Sequence, residues 1–75
     1  NIMTTISQLN QIRKELNITW QDISNSFRIL TNRTDLNEIF VENVCRGVED
    51  PMNFEITWEL FLKAMIYASE NNWRK

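Results

Sequence analysis

Seventy-five residues, 43% of them hydrophobic and with a single Gly and a single Pro, suit one small domain near the lower size limit for independent folding. They argue against a disordered tail or a loop-rich β fold. The formal net charge of −2 is not the basic footprint that nucleic-acid-binding domains usually carry, though it leaves room for a locally basic face.

No apolar run approaches the ~20 residues needed to cross a membrane, and no segment resembles a secretory signal. Met3, followed by two threonines, reads as a start residue preceded by Asn1 and Ile2. Cys45 is the only cysteine, so an internal disulfide is impossible and a reducing cytoplasm is the expected location. The sequons Asn17-Ile18-Thr19 and Asn32-Arg33-Thr34 are expected to be chance matches in a chain rich in Asn and Thr.

Helices are predicted over about 5–16, 19–29, 35–46 and 57–72, giving an all-α fold in one domain, 1–75. The first opens with Thr5 and Gln8, spaced as a capping box, and continues with Ile6, Leu9, Ile12 and Leu16 at helical spacing. Asn17 suits the left-handed residue that ends such a helix. The second opens on "ITWQDI": Thr19 is the expected N-cap, Asp22 its box partner, and Ile18 and Ile23 a hydrophobic staple. Trp20, Ile23, Ser24 and Phe27 share its inner face, and "TNRT" follows as a turn cluster.

The third helix is expected to start at Asp35 with Glu38 as its box partner, and to turn Leu36, Ile39, Phe40 and Val44 inward. Gly47 falls where its end needs a positive φ, with Val48 as the accompanying apolar contact. After Pro51, "ITWELF" repeats the opening of the second helix 38 residues later, with Thr57 as cap and Ile56 and Phe61 as staple. Nothing else in the two segments matches, so the echo is one helix-start device used twice rather than an internal repeat. Trp58, Phe61, Leu62, Met65, Ile66, Ser69 and Trp73 are expected on the inner arc of the fourth helix.

Chemistry is sparsely provided. With no His, neither imidazole ligation nor His general base work is possible. Cys45 has no His partner for a thiolate dyad, and Gly47 alone makes no phosphate loop. The carboxylate pairs Glu38/Glu42 and Asp35/Glu38 fit a solvated helix face. The expectation is therefore no enzyme, no metal and no cofactor.

The order "QLNQIRKELN", "ITWQDISNSF", a turn, "LNEIFVENVCRG", "VEDP" and a fourth helix resembles the lambda-repressor-like helix-turn-helix class. Carrying that likeness are Thr19, the pair Ile23-Ser24, and Arg46-Gly47 with Pro51 four residues on. Leu36, Glu38, Phe40, Val41 and Gly47 are most similar to the N-terminal helical domain of cyanases, whose catalytic residues lie in another domain. The resemblance spans about residues 6–68 and implies a four- to five-helix domain with an enlarged turn, of about seven extra residues around "RILTNRT", between helices 2 and 3. It implies a small DNA-binding regulator of phage or plasmid type, with Gln21, Arg28, Arg33, Asn37 and Arg46 as DNA contacts.

Asp35, Glu38 and Glu42 on the would-be reading helix oppose that function, because anions facing phosphates are repelled. The competing expectation is a non-enzymatic interaction module or inhibitor that offers an acidic helical surface, Glu38 and Glu42, to a protein partner. Leu60, Ala64 and Tyr67, at i, i+4 and i+7, would then form an outward stripe for a partner or a homodimer, unless Leu60 packs against the first helix or the "MNF" loop. A membrane surface is not an expected partner, for want of a basic amphipathic helix.

Overall fold

The computed structural model describes residues 2–71, the side chains of residues 2 and 3 excepted. Four helices follow in order: α1 (Ile2–Leu16), α2 (Trp20–Thr31), α3 (Glu38–Cys45) and α4 (Trp58–Asn71), with a 3₁₀ turn at Pro51–Phe54 before α4. No strand occurs among the described residues, and none of these helices is long and apolar enough to cross a membrane. The domain is all-α. Trp73 and the expected end of the last helix at 72 lie outside the described residues.

Helix α1 starts before Thr5, which therefore sits inside the helix, so the expected Thr5–Gln8 cap does not form. No Gly or Pro stands before Thr5 to interrupt the helix. Its end is as expected. Asn17 adopts φ 55°, its N–H donates to the Lys14 carbonyl at 3.2 Å, and the Ile18 N–H donates to the Arg13 carbonyl at 3.3 Å. These two bonds make a Schellman ending. Ile18 is buried and also precedes the next cap, so one apolar side chain anchors both the end of α1 and the start of α2.

Helix α2 opens with a complete capping box. The Asp22 N–H donates to Thr19 Oγ1 at 3.1 Å, and the Thr19 N–H donates to Asp22 Oδ2 at 2.9 Å. The staple residues Ile18 and Ile23 are both buried. The helix runs on through Thr31, so residues 28–31 are helical rather than part of a loop. Asn32, at φ 58°, then ends it.

Helix α3 starts later than expected. Its cap is Asn37, whose Oδ1 accepts from the Phe40 N–H at 2.9 Å. Asp35 is engaged elsewhere, holding the Arg33 guanidinium through bonds of 3.0 and 2.7 Å. Leu36 and Val41 now occupy the staple positions, and both are buried. Moving the cap changes the inward stripe to Phe40, Val41, Val44 and Cys45, and leaves Ile39 67% exposed. The end at Gly47 is again a Schellman ending: φ is 83°, Gly47 N–H donates to Val44 O, and Val48 N–H donates to Asn43 O. Ile6 Cδ1 would lie 3.3 Å from a Cβ at Gly47, a second reason for glycine there. Val48 does not supply the expected buried contact, since it is 69% exposed.

Thr57 Oγ1 accepts from the Leu60 N–H at 3.1 Å, and the staple pair Ile56 and Phe61 is buried. The two "ITW" stretches are thus the same helix-start device. Helix α4 turns Phe61, Ala64, Met65 and Ala68 inward. This corrects the expected arc: Ile66 is 45% exposed, while two alanines face the core. Small side chains there let α4 lie close along α2, its main packing partner.

Both observed caps should be worth about 1 kcal/mol, so Thr19→Ala and Asn37→Ala should each lower stability by that amount in urea denaturation. An unchanged midpoint for either variant would contradict its assignment as a cap.

Candidate functional site

Of the five residues expected to meet DNA, four make local side-chain contacts. Asn37 spends its side-chain carbonyl as the α3 cap. Arg33 grips Asp35 and also donates from Nη1 to the Phe54 carbonyl at 2.8 Å, tying the α2–α3 connection to the 3₁₀ turn. The bidentate ion pair raises the Arg33 pKa further and lowers that of Asp35 below its ordinary value. Arg46 is exposed and pairs with Glu42 one helical turn away at 3.3 Å. Gln21 is exposed and bonds the Asn25 side chain at 3.0 Å. Arg28 alone of the five is exposed with neither an ion pair nor a side-chain hydrogen bond to the described residues.

The proposed contact stripe on α4 also needs correction. Ala64 is 0% exposed and belongs to the core. Leu60 is partly buried against that core, and Tyr67 is half-buried. The stripe fails because the rotation of α4 is decided by Phe61 and Met65, which carry Ala64 and Ala68 inward with them.

On α3, Glu38 and Ile39 are exposed, while Glu42 is half-buried and paired with Arg46. From residue 36 to residue 62 the chain carries six carboxylates (Glu38, Glu42, Glu49, Asp50, Glu55 and Glu59) against one cation, Arg46. This acidity is continuous in sequence through α3, the 3₁₀ turn and the first turn of α4. Its carboxylate density was visible in the sequence, whereas exposed Ile39 within it was not.

Two open hollows flank Trp58 beside α1. One, of about 320 Å³, is bounded by Ile6, Gly47, Val48, Glu49, Asp50 and Trp58. The other, of about 290 Å³, is bounded by Leu9, Ile12, Trp58, Glu59 and Leu62. Among the described residues, no Lys or Arg lines either hollow. Trp58, expected in the core, is half-buried at its edge, with its ring centroid 6.4 Å from that of Phe61.

A third locality is inward. The Arg13 guanidinium lies over the Trp20 ring at 5.3 Å and donates to the Ile18 carbonyl at 3.4 Å. Arg13 Nε and Trp20 Nε1 are shielded from solvent without a hydrogen-bond partner of ordinary geometry. Cys45 is buried beside this group, and burial pushes its thiol pKa up, against the opposing influence of Arg13 and the Trp20 N–H. That is the environment of a packing cysteine rather than an activated nucleophile. Among the described residues, no group of three His, Cys, Asp or Glu side chains could hold a metal ion. No family model, curated protein or solved structure matches the chain.

Two outcomes follow from these placements. Ala64→Glu should unfold the domain, since an unpaired buried charge costs ~3–5 kcal/mol; a folded variant by circular dichroism would contradict the inward placement. Asp35→Asn should destabilise the chain at neutral pH. Because the folded Asp35 pKa is depressed, the parent's advantage is present above the ordinary carboxylate value and is lost as pH falls through the depressed one. Denaturation curves of both proteins should therefore converge in acid.

Proposed function

We propose that this chain is a non-enzymatic protein-interaction module whose acidic α3 face, Glu38, Ile39 and Glu42, meets a basic partner protein. The observation that carries this reading is the division of labour on and around α3. Asn37 Oδ1 is engaged as a cap and the Arg33 guanidinium as a loop tie, while Glu38 and Ile39 are exposed beside half-buried Glu42. An acidic face raises encounter rates with cationic partners and repels nucleic acid. Ile39, with its apolar side chain exposed, offers the desolvated contact that charge alone does not supply. The single buried thiol suits a reducing compartment such as the cytoplasm.

A DNA-binding regulator is the second reading. In its favour are the helix-turn-helix resemblance and the exposed Gln21 and Arg28 on α2. Its warrant is likeness of architecture, and fold alone does not carry function. Self-association through α4 could not use Ala64, which is buried, whereas Ile66 is exposed.

Two titrations separate these readings. Labelled mixed-sequence duplex DNA should leave fluorescence anisotropy unchanged at low salt, and oligolysine should shift the amide resonances of Glu38, Ile39 and Glu42. Salt-sensitive duplex binding in or below the ~10⁻⁴–10⁻⁶ M range, abolished by Arg28→Glu, would overturn the proposal in favour of the regulator.

A further inference from the structure

The hollows on either side of Trp58 have apolar floors: Ile6 under one, and Leu9, Ile12 and Leu62 under the other. Their rims carry Glu49, which accepts from Asn53 Nδ2, Asp50, which caps the 3₁₀ turn, and Glu59, and no Lys or Arg among the described residues lines them. Trp58 stands between the hollows as a shared wall. Exposed Val48 extends the apolar surface at one end. Each hollow is open and at the small end of the ~300–1,000 Å³ range of ligand clefts, so it suits an inserted side chain better than an enclosed metabolite.

We propose that these paired hollows are the seat of a Lys- or Arg-bearing amphipathic helix from a partner protein. Two apolar side chains from one face of that helix straddle Trp58, and its basic residues meet Glu49, Asp50 and Glu59. Helix-in-groove recognition works this way: spaced apolar anchors provide affinity, and flanking charge provides orientation. Charge complementarity selects this occupant. A second copy of the chain would set the same three carboxylates near its own acidic surface, and a nucleic acid would be repelled by them. The proposal rests on the interaction-module reading and adds to its α3 face a second contact, anchored at Trp58.

The test is a resonance-by-resonance titration of the chain with a Leu/Lys peptide of about 14 residues, near the length at which helices become stable in water. Its leucines share one helical face. A peptide of the same composition, scrambled to disperse the leucines, is the control. The amphipathic peptide should shift the Trp58 indole signal and those of Leu9 and Leu62, and the scrambled one should bind more weakly. Glu49→Gln with Glu59→Gln should weaken binding roughly threefold to tenfold, as expected for two partly solvated ion pairs. Circular dichroism checks the fold. If the double variant does not fold, Trp58→Phe, which keeps a ring beside Phe61, takes its place and should likewise weaken binding.

Shifts confined to residues 38–42 would overturn the Trp58 seat while leaving the interaction-module reading intact. Equal binding of the scrambled peptide would reduce the contact to bulk charge and also overturn the seat. Absence of shifts at both surfaces would remove both ideas.

Discussion

Phe27 is the point at which the domain is held. Its fully buried ring meets Phe40 of α3 at 6.0 Å and Phe61 of α4 at 5.3 Å, both in edge-on geometry. Phe40 in turn meets Phe54 of the 3₁₀ turn at 4.6 Å. Three helices and a turn therefore share one aromatic cluster, and each helix must rotate until its ring reaches it. Such ring pairs contribute ~0.5–1.5 kcal/mol beyond the area they bury. In a chain this short there is no second core to compensate for a misplaced ring. The inward turn of Val41, Cys45, Ala64 and Ala68 accompanies this requirement, as does the outward turn of Ile39 and Ile66.

Around that cluster the backbone is managed by short joints that do two things at once. Asn17, Ile18 and Thr19 end one helix, seal the core and begin the next. Leu36 puts its side chain in the core while its carbonyl accepts from Ser24 Oγ at 3.0 Å, holding the approach to α3 against α2. Asn10 donates to the Cys45 carbonyl at 2.7 Å, satisfying the end of α3 from α1. Arg33 closes the α2–α3 connection onto Phe54. These polar ties link neighbouring elements, so the polar residues near the joints are committed to the fold before any partner arrives.

The surface consequence is a separation of charge. Cations near the joints are consumed in place: Arg13 on Trp20, Arg33 on Asp35 and Phe54, Arg46 on Glu42. Of the six carboxylates between residues 36 and 62, Glu42 alone forms an ion pair among the described residues, and Glu38, Asp50, Glu55 and Glu59 are exposed. An acidic surface with apolar residues set into it, Ile39 on α3 and Trp58 beside α1, is what the proposed meeting with a basic protein surface draws on. It does not depend on how closely the helix arrangement approaches that of a repressor.

Local signals were legible wherever one short segment decides its own conformation. The Thr19 and Thr57 starts, the Asn17 and Gly47 endings, and the all-α class follow from hydrogen bonds and φ preferences spanning only a few residues. The acidic run could likewise be counted from the letters. What only the tertiary structure decided was the rotation of α3 and α4, and with it the exposure of Ile39 and Ile66 and the burial of Ala64. The choice of Asn37 over Asp35 as cap was also decided there, because Arg33 claims Asp35 while bonded to Phe54, 21 residues away in sequence. Apolar periodicity marks a broad arc on a helix, but neighbouring residues on that arc compete for the same interior. The winner is set by which rings meet across the core, a contact between distant segments that no local pattern contains.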